Sequence, residues 1–257
     1  MSVVPKKSLG QHFLVDENIL GVIGRLAALE PEDVVLEVGP GLGVLTRYLA
    51  DRVAHVHAVE LDRSLEAALR AALGEPTNVA LHWADALQID VDSLDPAPTK
   101  LVANLPYNVA TPVIVETLEH APSLDTWCVM VQREVADRLF AAPRTKAYGA
   151  VSVLVQLAAR KTGFHAVSPK VFRPPPRVDS ALVAFVRERV AEIGDVRDVV
   201  EAAFSHRRKT LPNSIAAAGL ASRAAAEDAL AALSRPAATR AEELAPEEFV
   251  ALAAHLR

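Results

Sequence analysis

Val34-Val35-Leu36-Glu37-Val38-Gly39-Pro40-Gly41-Leu42-Gly43 is the stretch that decides the fold. Its first five residues are branched or long apolar side chains broken by one carboxylate, which reads as a buried strand. Three glycines then close the run, and Val44, Leu45, Tyr48 and Leu49 recur at helical spacing. A strand that passes through a glycine turn into a helix opens a βαβ unit.

The same alternation continues outward. Residues 55–60, 79–84, 100–103 and 127–132 read as further strands, and 64–73, 111–119 and 133–140 as helices. Thr111-Pro112 resembles an N-cap followed by proline at the first helical position. Strands alternating with helices predict an α/β fold, a Rossmann-like parallel sheet with helices on both faces. Residues 143–149 read as a mobile, positively charged break, and 151–159 as a helix. Residues 164–167 and 181–186 read as strands, with the Phe172–Arg177 bend between them. From about residue 190 the pattern is helical only, alanine-rich and punctuated by Pro212, Pro236 and Pro246. Two domains are expected, 1–189 and 190–257, with the boundary near 188–194.

At 257 residues and 51% apolar content the chain has ample material for a packed core. No apolar run reaches the roughly 18 residues of a membrane span, and no apolar segment follows Lys6-Lys7, so neither membrane nor secretion is expected. The single Cys128 lies in an apolar run and reads as a core residue in a reducing cytoplasm. Net charge is −5, unevenly spread. Residues 1–132 carry 8 Lys/Arg against 18 Asp/Glu, a net of −10, whereas 133–189 carry 11 against 4, a net of +7. Residues 190–257 carry 8 against 10 but include the cluster Arg207-Arg208-Lys209. Basic segments in an acidic protein suit a phosphate-binding face. The candidates are Arg144 and Lys146 in the break, Arg173 and Arg177 in the bend, and the 207–209 cluster.

In an open parallel sheet, ligands bind beyond the carboxyl ends of the strands. Gly39, Gly41 and Gly43 let backbone approach a ligand. Glu60 ends the second strand and can accept two ribose hydroxyls; Asp85 ends the third and can accept from an adenine amine; Asn104 ends the fourth. A dinucleotide turn wants G-x-G-x-x-G, but Val44 takes the sixth position. A nicotinamide site or a purely structural turn remains open from the glycines alone. The strand-end residues favour S-adenosylmethionine, leaving S-adenosylhomocysteine as product, with no metal.

Asn104-Leu105-Pro106-Tyr107 is the candidate target site. The amide oxygen and the Leu105 carbonyl can accept from an exocyclic amine, drawing a poor nucleophile toward tetrahedral geometry, while Tyr107 stacks on a flipped base. Proximity supplies much of the rate, and no strong general base is needed. Phe172, beside three prolines, is the candidate for the opposite face of the base.

On these motifs the chain resembles the small-subunit 16S rRNA adenine N6,N6-dimethyltransferases, over nearly its whole length. Gln11-His12-Phe13-Leu14 is similar to the family's N-terminal cofactor motif, and Gly39–Gly43, Glu60, Asp85 and Asn104–Tyr107 to its successive cofactor and target motifs. Phe172-Arg-Pro-Pro-Pro-Arg-Val-Asp-Ser180 resembles its late signature, and Phe204–Asn213 its basic C-terminal element, with Pro212 where the family often has arginine. The resemblance implies that Gln11, His12 and Leu14 contact the donor with Gly39, Gly41 and Asn104. Leu61 and Ala86 would do so beside Glu60 and Asp85. It also implies dimethylation of two adjacent adenosines in a 3′-terminal hairpin loop of 16S rRNA by a monomer acting on the small subunit or its precursor. The macrolide-resistance methylases of 23S rRNA share several of these motifs, and an assembly factor whose binding outweighs its catalysis is a reading of a different class.

Overall fold

The computed structural model describes residue 6 and residues 11–74, 76–188 and 191–256. The 189/190 boundary and nearly all of Met1–Gly10 lie outside them. The chain order is β1 (Phe13–Leu14), α1 (Glu17–Leu26), β2 (Val34–Val38), α2 (Val44–Ala50), β3 (His55–Glu60), α3 (Glu66–Leu73) and β4 (Val79–Trp83). Next come β5 (Lys100–Asn104), α4 (Ala110–His120), β6 (Thr126–Gln132), α5 (Arg133–Leu139), α6 (Ala150–Ala158) and β7 (Ala159–Val167). The chain ends with β8 (Phe172–Arg173), β9 (Ser180–Arg187), α7 (Ile193–Phe204), α8 (Leu211–Ala217), α9 (Arg223–Ala232) and α10 (Pro246–Leu256).

Seven strands form one sheet in the order β4-β3-β2-β5-β6-β9-β7. The pairs from β4 through β6 are parallel, and β9 runs antiparallel to β6 from Thr126↔Val186 to Gln132↔Ser180. The chain steps from β2 outward to β3 and β4, then returns to β5 on the other side of β2. The carboxyl ends of β2 and β5 therefore flank a topological switch point, where such sheets bind ligands.

Both faces of the sheet are covered. On one face, Ile19, Leu20 and Ile23 of α1 and Leu45 and Leu49 of α2 pack with Val35, Val56, Val102, Cys128 and Met130. Asp16 caps α1 by accepting from the Asn18 N–H at 2.8 Å. On the other face, Trp127 stacks on Phe185 at 5.4 Å and donates its indole N–H to the Thr117 hydroxyl of α4 at 3.0 Å. The Arg187 guanidinium then binds the Leu118, Ala121 and Leu124 carbonyls at 2.7–2.8 Å, satisfying acceptors that the end of α4 leaves free. Cys128 is fully buried, which pushes its thiol up to about 12 and leaves it unreactive.

Packing divides the chain into two units. One comprises 1–136 with 161–187, the other 137–160 with 188–257. Residues 137–160, placed in the first domain from sequence, thus group with the C-terminal helices. In that second unit Tyr148 is fully buried, donates to the Leu244 carbonyl at 2.8 Å, and packs its ring against Phe204. The expected loose break at 143–149 is tied down. Arg144 N–H donates to Glu242 O at 2.7 Å, and the Arg207 guanidinium donates to Tyr148 O at 2.8 Å and Lys146 O at 3.2 Å. Pro212 is buried in the first turn of α8, where a missing N–H is tolerated.

Candidate active site

The cleft lies wholly in the sheet unit, at the switch point. It offers about 1040 Å³ counted out to its open mouth, and its walls come from β1 and from the carboxyl ends of β2, β3, β4 and β5. Gly39, Gly41 and Gly43 all have positive φ, from 58° to 78°, which side-chain-bearing residues rarely adopt. A Cβ on Gly39 would stand 3.1 Å from the Pro106 ring, and one on Gly41 3.0 Å from Phe13. The turn therefore joins the cofactor loop to the target motif by close contact.

Glu60 is 8% exposed. Its two oxygens accept from the Gly41 N–H at 3.1 Å and the Asp62 N–H at 2.8 Å. That fixes the carboxylate while each oxygen keeps a lone pair for a ribose hydroxyl. Burial raises its pKa, opposed by those backbone bonds. Asp85 is exposed; one oxygen accepts from the Leu87 N–H at 3.0 Å and the other remains available to an amine. Asp62 holds Gln11 at 2.9 Å and Lys6 at 2.6 Å, and also accepts from Ser64. Burial alone would lift the Asp62 carboxyl, but the Lys6, Ser64 and Gln11 bonds outweigh it and hold it well below the usual range.

Sequence reasoning passed over Glu37 as a site residue. It is 1% exposed, lines the cleft, and its Oε2 has no hydrogen-bond partner among the described residues. Burial, with Glu60 adding like-charge repulsion and the nearby Thr46 hydroxyl opposing, pushes it up to about 8. A carboxylate in the middle of an apolar strand was the available signal. An orphaned carboxyl oxygen and a glycine cradle that no Cβ would leave open both fit a cationic nucleoside such as S-adenosylmethionine.

The target motif closes the opposite wall. The Asn104 amide N–H₂ donates to the His12 carbonyl at 3.2 Å. A carbonyl only accepts, so this bond settles which way the amide faces and leaves its oxygen free. Leu105 N–H donates to Met130 O at 3.1 Å. The Tyr107 hydroxyl bonds Ser180 Oγ at 2.6 Å, and its ring lies 5.5 Å from that of His12. His12 Nδ1 donates to the Pro174 carbonyl at 2.8 Å. The late signature thus reaches the site through Pro174 and Ser180.

Thirteen sequence-predicted positions meet at the cleft: Gln11, His12, Leu14, Gly39, Gly41, Glu60, Leu61, Asp85, Ala86 and Asn104 through Tyr107. Phe172 does not join them. It pairs with Leu14 across β1 and β8 and is 2% exposed in the core with Val167 and Leu182. The apolar packing that orders β8 consumes its ring, so it has no face to offer a base. Arg173 and Arg177 are exposed in the sheet unit. In the helical unit, Arg144 lies 3.8 Å from Glu243, Arg207 is committed to loop carbonyls, and Lys146, Arg208 and Lys209 are exposed.

The chain is similar throughout to known methyltransferases. It is 50% identical over 250 residues to "Ribosomal RNA small subunit methyltransferase A" of Rubrobacter xylanophilus, covering 96% of this chain and 94% of that protein. It is 48% identical to the same-named protein of Kineococcus radiotolerans, covering 99% and 87%. Its fold matches a dimethyladenosine transferase of Plasmodium falciparum with a TM-score of 0.79 at 24% identity, covering 94% and 96%. A 23S rRNA methyltransferase, ErmE, superposes with a TM-score of 0.67 at 30% identity, covering 95% and 99%. The sequence profile described as "Ribosomal RNA adenine dimethylase" matches residues 4–253, and the chain belongs to that family.

Proposed function

We propose that this chain dimethylates N6 of two adjacent adenosines in the 3′-terminal hairpin loop of 16S rRNA, on the small ribosomal subunit or its precursor. The observation that carries the reading is the Asn104 amide, fixed by the His12 carbonyl with its oxygen directed away from that bond, at the mouth of a donor cleft. Similarity at 50% to a small-subunit enzyme, against 30% to a 23S enzyme, supports the small-subunit substrate.

S-adenosylmethionine would supply an electrophilic methyl group on a sulfonium; Glu60 would hold its ribose and Asp85 its adenine amine, and the buried Glu37 would offer the cation a carboxylate. Asn104 Oδ1 and the Leu105 carbonyl accept from the target amine and stabilise positive charge as it develops on nitrogen. A neutral amide does this without forming an ion pair with the donor. Tyr107, anchored at its hydroxyl by Ser180, presents its ring for stacking, worth about 1–3 kcal/mol per base. Arg173, Arg177, Lys146, Arg208 and Lys209 are the candidate phosphate contacts, and the unit of 137–160 with 188–257 the candidate ribosome-binding one.

The test is methyl incorporation from labelled donor into small and large subunits of an unmethylated strain, with mass mapping of the product. Two dimethyladenosines near the 3′ end of 16S RNA are expected, lost in Asn104→Ala while particle binding is retained. Label confined to 23S RNA would overturn the reading.

A further inference from the structure

The cations of the late basic segment are not confined to the Phe172–Arg177 bend. From Lys161 to Val178 the chain carries Lys161, Lys170, Arg173 and Arg177 and no carboxylate, in a protein whose first 132 residues are strongly acidic. This stretch begins on β7, which lies at one end of the sheet, and leads through a turn at 169–171 into β8. There Arg173 pairs with Phe13, next to His12 of the cleft.

β7 is built unlike the inner strands. Between its buried ends every side chain is exposed except that of Gly163, whose added Cβ would strike Leu26 at 2.6 Å. At that point the strand passes so close to Leu26 of α1 that a Cβ would not fit, while the residues on either side of it are exposed. Phe164 is 37% exposed. The Lys161 ammonium stands 4.8 Å from its ring centroid and the Arg133 guanidinium 5.0 Å. The ring holds the two cations by cation–π attraction, so less freedom is lost when a phosphate arrives.

We infer that the exposed strand β7, with the Phe164 ring close to both Lys161 and Arg133 and continued by Lys170 and Arg173, is a track for a single-stranded stretch of RNA leading to the cleft. This rests on the rRNA reading above. Cations without intervening carboxylates match a phosphodiester backbone, and an aromatic ring among them matches a ribose or base, the usual combination for single-stranded nucleic acid.

The test compares wild type with Lys161→Gln/Lys170→Gln and with Phe164→Ala. Affinity is measured against salt on a protein-free RNA fragment carrying the target hairpin and on unmethylated small subunits, and donor affinity is measured by calorimetry. All three proteins should bind donor alike, which shows the cleft intact. The double variant should lower the log–log salt slope by about 1.4, two phosphates at about 0.7 each, which is about 25-fold weaker binding near 0.1 M salt. Phe164→Ala should weaken binding with the slope nearly kept, because an uncharged ring releases no counterions. Unchanged affinity and slope in both variants, with wild type active on 16S RNA, would overturn the track and leave the rRNA reading standing. Loss on subunits alone, with the RNA fragment bound as by wild type, would also overturn it and mark β7 as a contact for a ribosomal protein. Failure of wild type itself to bind or methylate either RNA would bring down the underlying reading and the track together.

Discussion

Glu37→Gln exchanges the buried carboxyl for a neutral amide of nearly the same shape. In the folded chain this carboxyl is pushed from 4.5 to about 8. The folded state therefore keeps a proton that the unfolded chain releases above its ordinary pKa, so the stability this group contributes is full below about 4.5 and is lost as pH rises through about 8. Between about pH 6 and pH 9 the linkage amounts to about 2–3 kcal/mol lost by wild type and not by the variant. At 1% exposure the carboxyl is little screened by solvent. Other titrating groups are common to both proteins and cancel in the difference. Both tryptophans, Trp83 and Trp127, lie in the sheet unit, so indole fluorescence during urea unfolding reports that unit's stability. The gap between variant and wild type should widen with pH. A constant gap would refute the argument that Glu37 is protonated in the donor-free cleft. A second consequence is that donor affinity should rise with pH across the same window in wild type and stay flat in the variant.

Glu60→Ala should weaken S-adenosylmethionine binding in calorimetry, because the ribose hydroxyls lose their acceptor; unchanged affinity removes Glu60 from the donor site. Phe172→Ala should cost about 3–5 kcal/mol of stability as a core truncation. If stability held and only turnover fell, the ring would have the stacking role that its burial denies. Arg208→Gln with Lys209→Gln should flatten the salt dependence of subunit binding by about one unit per lost phosphate contact. An unaltered slope would move the helical unit's phosphate contacts to Lys146 and its neighbours.

The inner strands were legible because burial on both faces writes itself as an apolar run. β2 and β3 fall where the apolar residues run, and β4, β5 and β6 differ from that reading by one residue at an end. β7 was read only from 164, yet it begins at 159. As a solvent-facing strand at the end of the sheet it follows no hydrophobic rhythm. Nor does a sequence reveal that β9 runs antiparallel between β6 and β7, since an apolar run carries no direction. That Gly39, Gly41, Glu60, Asp85 and Asn104 would come together at one cleft was legible because each sits at or just past the end of a readable strand. Phe172 was misread because an aromatic beside prolines looks the same whether it faces a ligand or the core. Glu37 was passed over because its burial and its unpartnered oxygen are not written in residue type.

The bonds that set the target side of the cleft join three distant parts of the chain: His12 to Asn104, His12 to Pro174, and Tyr107 to Ser180. A ribosome making this protein delivers those parts in order. The glycine turn and the five parallel strands emerge first, before the β8 segment that β1 pairs with. Asn104 and Tyr107 receive their last restraints only after residues 172–180 have left the exit tunnel and β9 has slotted in beside β6. A nascent chain whose residues 172–180 are still in the tunnel lacks the partners of both β1 and Tyr107, so the ability to modify ribosomes would be withheld until that late segment had emerged.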